Sequence, residues 1–223
     1  MPSAPTPSGP DEDLRAADGR VPGRRGRKTR DRLLNETLAL LEHNSYRELK
    51  VVEIARAAGT SPATFYQYFP DVEAAILALA EDMAADGNQR LTEILRTGTW
   101  DGESGWSTAR TIASGYIDFW DDNWPLMRVI DLTAEEGDQR FRSIRTRLLN
   151  EFTVVLAEII TRVHPKARTK SIDPMATAGV LVSMLAHVSS HRYGFEFYGI
   201  RTDALRDSMA SIIYTTVTAQ QAP

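Results

Sequence analysis

The chain has no cysteine. Disulfides and thiolate metal sites are therefore excluded, and a reducing compartment suits such a composition. No apolar run is long enough to span a bilayer. No apolar stretch follows the N-terminal charges, so a secretory signal is not expected, and a cytoplasmic location with no membrane partner follows. Alternating strand patterns and internal repeats are missing. So are a Gly-x-Ser-x-Gly elbow, a phosphate-binding glycine loop and a dinucleotide fingerprint. Acidic runs such as Glu135-Glu136 suit solvated faces better than paired catalytic carboxylates. An enzyme is not expected from this inventory, and no cofactor is.

What is present suits an ordinary folded protein. Of the 223 residues, 42% are hydrophobic and 25% charged, enough to bury a core. Charge is distributed unevenly. Arg20 to Arg32 holds seven basic residues and one acid, a local charge of +6. The whole chain carries −4, so the remaining residues carry −10. A basic arm on an acidic body is the asymmetry expected where one end meets phosphate. Residues 1–26 are rich in Pro, Ser, Gly, Asp and Arg and poor in large apolar side chains, which predicts a disordered arm. Its arginine-rich end suits DNA backbone or minor-groove contact. A helix is expected from about Lys28 to His43, with Leu34, Leu38 and Leu41 as its buried stripe and Leu33 beside them.

The stretch Val51 to Phe69 reads as two short helices around a tight turn. Val51, Ile54, Ala55 and Ala58 form one apolar stripe. Gly59 stands where a positive φ is needed. Ser61 can cap the second helix, and Pro62 at its first position gives up no bond. Phe65 and Phe69 should pack inward. Thr64, Gln67 and Tyr68 should then face outward, with Tyr66 at the flank. Hydroxyls, an amide and phenols suit phosphates and base edges.

This is a helix-turn-helix pattern, and from Thr29 to Leu79 it resembles the DNA-binding segment of the tetracycline-repressor (TetR) family of bacterial transcription regulators. The matching positions are Ile54-Ala55, Ala58-Gly59, Ser61, Thr64, Tyr66, Tyr68-Phe69 and Glu73. The resemblance implies an all-α fold. An N-terminal three-helix DNA-binding domain, residues 27–72, would precede a larger helical bundle, residues 73–223, for effector binding and dimerisation. It also implies DNA contacts by Arg27, Lys28, Arg30, Lys50, Ser61, Pro62, Ala63, Thr64, Tyr66, Gln67 and Tyr68. Two positions depart from the family pattern. Lys50 stands where a capping Ser or Thr is usual. Val72 stands where a phosphate-binding Lys is usual.

Beyond Pro70-Asp71, with Asp71 as a cap, a helix is expected to about Leu95, where Gly87 marks either a bend or the close approach of a neighbour, and further helices over Gly105–Asp122, Trp124–Glu135 and Gln139–His164. Gly98 to Gly105 is expected to be a loop. Two more helices, about 173–192 and 202–219, with Asp173 and Thr202 as their expected caps, have more apolar surface than one partner can cover. They are expected to form a homodimer interface, as the last two long helices of the family do. The resemblance further implies a small-molecule effector. Tyr116, Phe119, Trp120, Trp124, Met127, Phe152, Met184 and His187 are the candidate lining. Arg128, Asp131 and Glu135 are candidate polar groups.

His187 and His191 are one helical turn apart, a spacing that can hold a metal, with Glu196 as a conceivable third ligand. No third ligand stands at a fixed helical offset, and no metal is assigned. Two partly buried, hydrogen-bonded histidines are expected instead. The combined expectation is a ligand-responsive repressor. It would bind a pseudo-palindromic double-stranded operator as a dimer, and a mostly apolar small molecule would release it. The alternatives are a DNA-binding dimer without an effector, or a helical-bundle metalloenzyme using His187 and His191.

Overall fold

The computed structural model describes residues 23–165 and 172–223. Residues 1–22, most of the expected arm, and residues 166–171 lie outside those residues. Nine α-helices and no strand are found among the described residues. They are α1 (Arg24–Leu41), α2 (Val51–Ala57), α3 (Pro62–Tyr68), α4 (Val72–Thr97), α5 (Gly102–Asp122), α6 (Trp124–Glu135), α7 (Gln139–Val163), α8 (Pro174–Phe197) and α9 (Thr202–Thr218). The all-α expectation is met. The chain divides into two compact units between Glu81 and Asp82, inside α4.

In the smaller unit, α1 starts earlier than the sequence suggests. Arg24 to Gly26, read as part of a disordered arm, are helical, and Arg27 N donates to Gly23 O at 3.0 Å. The cause is intrinsic: Arg and Lys are good helix formers, and only Gly26 opposes them. Leu33, Leu34, Ile54, Ala55, Ala58, Phe65, Phe69 and Ala75 form the core. Leu38 is only half-buried, so Leu33 and Leu34 lead the stripe. Lys50 sits at the α2 N-cap with no side-chain cap bond, as its departure from the family pattern implied. Asp71 accepts from Ala74 N at 2.7 Å and closes the start of α4.

In the larger unit, α5 packs on α9 and α8, while α7 packs on α6 and α8. The α6 bounds match the expectation, and α7 ends one residue short of it. Three other boundaries are corrected. Helix α5 begins at Gly102, inside the expected loop, after the turn at φ +51° that this glycine supplies. Helix α8 runs five residues past Arg192, to Phe197. The buried Arg192 holds that extension through Asp121 of α5, the Tyr193 hydroxyl at 2.9 Å and Glu196 at 3.5 Å. Thr202, expected as a cap, lies inside α9 instead. Arg201 occupies the cap position, and the Thr202 hydroxyl bonds Glu196. Asp138 and Asp173 cap α7 and α8 by accepting backbone N–H groups.

Candidate nucleic-acid interface and effector region

Helix α3 is built as its sequence dictates. Gly59 adopts φ +63°, where an L side chain would be strained. Ser61 Oγ accepts from Thr64 N at 3.2 Å and lies 3.0 Å from Thr64 Oγ1. Pro62 fills the first turn. Phe65 and Phe69 anchor the other side, their ring centroids 5.6 Å apart.

The outward face differs in part from the expected one. Ser61, Pro62, Ala63, Tyr66 and Gln67 are exposed, and Tyr66, placed at the flank by sequence, is 53% exposed. Thr64 and Tyr68 are half-buried, and Tyr68 packs against the core. The short helix gives only two fully outward positions after its first turn, and these fall on Tyr66 and Gln67. Arg27, Lys28 and Lys50 are exposed. Arg30 is half-buried, with its guanidinium 5.4 Å from the Phe69 ring centre.

Lys50 and Tyr66 share an open concavity of about 770 Å³ with Tyr46, Arg47, Asp71 and Glu73. Arg47 was not singled out by sequence. The signal was its place three residues before Lys50, on the same approach to α2. Two cations and two phenols face that space, but so do two carboxylates at the start of α4. The side chain of Val72 also lines it and brings no charge.

In the larger unit the structure brings four of the eight candidate effector residues, Tyr116, Phe119, Trp120 and Phe152, into ring contact. Tyr116, Phe119, Trp120, Met127 and Phe152 are all buried. Tyr116 stacks on Trp120 at 5.7 Å and meets Phe152 edge-on at 5.1 Å. Burial pushes the Tyr116 hydroxyl far above its ordinary range, so it remains a neutral donor. Neither its oxygen nor Trp120 Nε1 has a hydrogen-bond partner among the described residues. Trp124 is separated from this group. It is 40% exposed and meets Tyr193 edge-on at 6.0 Å. Met184 is half-buried. His187 is exposed and lines a groove of about 630 Å³ between α7 and α8 with Arg145, Asn150 and Ser183.

Of the candidate polar groups, Arg128 and Glu135 are exposed. Asp131 is half-buried, and burial raises its carboxyl above 3.8, with Glu135 adding and Arg145 and His191 opposing. His187 and His191, expected to be partly buried, are both exposed. No group of three or more metal-ligating side chains occurs among the described residues, and no helix is long and apolar enough to cross a membrane.

Comparison with known proteins agrees with this geometry. Residues 33–79 match the family described as bacterial regulatory proteins, tetR family, and residues 91–223 match the tetracyclin repressor-like C-terminal domain. An uncharacterized HTH-type transcriptional regulator of Haemophilus influenzae is 25% identical over 138 residues, covering 61% of this chain and 65% of that protein. The chain thus spans a little under two thirds of that relative. A putative TetR-family transcriptional regulator from Mesorhizobium loti superposes with a TM-score of 0.68 at 19% identity, over 88% of this chain and 98% of that one. The transcriptional regulator FadR from Bacillus subtilis, solved in complex with stearoyl-CoA, superposes with a TM-score of 0.63 at 15% identity, over 83% and 98%. Likeness at these identities concerns the fold.

Proposed function

Because the chain belongs to the tetracycline-repressor (TetR) family of transcription regulators, we propose that it is a ligand-responsive repressor that binds a pseudo-palindromic operator as a homodimer. The observation that carries the DNA half of this reading is α3, a capped and anchored helix that turns Tyr66 and Gln67 outward. Two copies would place α3 in successive major grooves. Gln67 would read base edges, with adenine as its natural match. Tyr66 would hold the backbone, joined by Ser61 and Thr64. Pro62 and Ala63 would give apolar contact, and Tyr68 would position the helix from within. Arg27, Lys28, Arg30 and Lys50 would meet phosphates.

The dimer would form through α8 and α9. Helix α8 exposes Met175 (50%) and Val180 (69%), and α9 exposes Ile212 (47%). Outward apolar residues on two neighbouring helices suit a second copy.

The effector would enter the larger unit beside Tyr116, Phe119, Trp120, Met127 and Phe152, with Trp124, Met184 and His187 towards the periphery. Buried polar groups are nearly always paired. The unpartnered Tyr116 hydroxyl and Trp120 N–H therefore favour a mostly apolar molecule carrying one or two acceptors. B. subtilis FadR in complex with stearoyl-CoA supports small-molecule control in this fold. The ligand would favour a conformer whose two α3 helices are wrongly spaced for the operator. The close packing of the aromatic group favours a second reading, a dimer that answers to no small molecule.

Fluorescence anisotropy on DNA from upstream of its own gene, at several salt concentrations, tests the proposal. Saturable binding above a scrambled control, weakening steeply with salt, is the expected result. No binding to any DNA at low salt would overturn it.

A further inference from the structure

His187 and His191 are exposed neighbours on α8, with ring centres 4.1 Å apart and planes inclined by 21°. His191 Nδ1 lies 3.0 Å from the His187 carbonyl oxygen. A carbonyl only accepts, so this contact is made by the tautomer that carries its proton on Nδ1. Ser190 Oγ, 2.7 Å from the same nitrogen, accepts from it as well, and its own hydroxyl donates to the His187 carbonyl at 3.1 Å. The lone pair of His191 is therefore on Nε2. A ring N–H donated to a backbone carbonyl, with the other nitrogen left bare, is the arrangement that orients histidine as a metal ligand.

Among the described residues, one chain offers this pair only two ligands. Glu196 is engaged by Arg192 and by the Thr202 hydroxyl. It also lies nine residues from His187, on the opposite side of the helix. Asp131 of α6 is turned to Arg145 of α7, 3.5 Å away. The missing ligands have another source. Ala176, Val180, Ser183, His187 and His191 follow one another at spacings of three and four along the exposed side of α8. This ridge belongs to the face assigned above to a second copy, and in a two-fold interface each side presents the same residues.

We propose that His187 and His191 of two copies join in one metal site, four imidazole nitrogens around a single zinc-class divalent ion. Four nitrogen ligands satisfy the tetrahedral preference of zinc, and imidazole suits zinc, copper and nickel among biological metals. The inference rests on the α8–α9 dimer reading. An ion held only by the paired chains would stabilise the dimer by mass action.

The test uses the full, untagged chain freed of metal, titrated with zinc in a calorimeter while sedimentation follows its oligomeric state. One ion per two chains is expected. That uptake should vanish in His187→Ala and in His191→Ala and persist in His43→Ala, a control in the smaller unit. A metal-free dimer that takes up no zinc through these histidines overturns the site and leaves the dimer intact. One ion per chain, lost in the same variants, overturns the sharing. A chain that stays monomeric with and without zinc overturns the dimer reading and this inference together.

Discussion

The backbone of Gly87 in α4 lies against the ring of Phe119 in α5. A β-carbon at residue 87 would come within 2.5 Å of Phe119 Cζ and 3.0 Å of Leu148 Cδ1. Phe119 is buried, so its ring has nowhere to retreat. The glycine that sequence read as either a bend or a close approach is a close approach.

Gly87→Ala should therefore destabilise the protein by about 1–3 kcal/mol, the usual range for overpacking, despite the better helix propensity of alanine. Urea unfolding of the two proteins measures this. A gain in stability would mean that α4 and α5 can part at little cost.

The recognition helix gives a paired prediction. Gln67→Ala should change which sequences are bound, whereas Tyr66→Phe should weaken all sites alike by about 1 kcal/mol. Anisotropy on a panel of single-base operator variants separates the two. A uniform loss for Gln67→Ala would remove it as a base reader.

The Ser61 cap supports both folding and binding. Ser61→Ala should lower stability by about 1 kcal/mol, since the amide of Thr64 loses its acceptor. Ser61→Asp should restore the cap yet weaken DNA binding, because its charge would face phosphate. Thermal unfolding and anisotropy on the same samples report the two effects separately.

Asp131 sets a pH dependence. Burial raises its carboxyl above 3.8 in the folded protein. The stability it contributes is thus present below the unfolded value and is lost as pH rises through the folded one. Asp131→Asn should accordingly gain on the wild type between about pH 4 and about pH 7. Urea midpoints at both ends check the sign. The opposite trend would mean that attraction to Arg145 outweighs desolvation.

Some features were legible because one residue settles each of them. Gly59 and Ser61-Pro62 determine the turn into α3, and Asn123-Trp124-Pro125 determines where α6 begins. Others depend on neighbours distant in sequence. Arg192 carries α8 past Gly194 because Asp121, seventy-one residues earlier, meets its guanidinium. The aromatic spacing of α5 foretold a buried group, but Trp124 followed Tyr193 to the surface rather than Tyr116 to the interior. Tyr68 turned inward because a helix of seven residues has few outward places. Nothing in the pattern of α8 alone distinguished its covered side from its ridge, since apolar residues occur on both.

That ridge has a consequence for gene control. If the proposed second copy completes this surface, the operator-binding species would grow with the square of chain concentration while the protein is scarce. A few molecules would leave a promoter open, and a modest rise in synthesis would close it. The threshold would come from the bare side of one helix, without any further regulator.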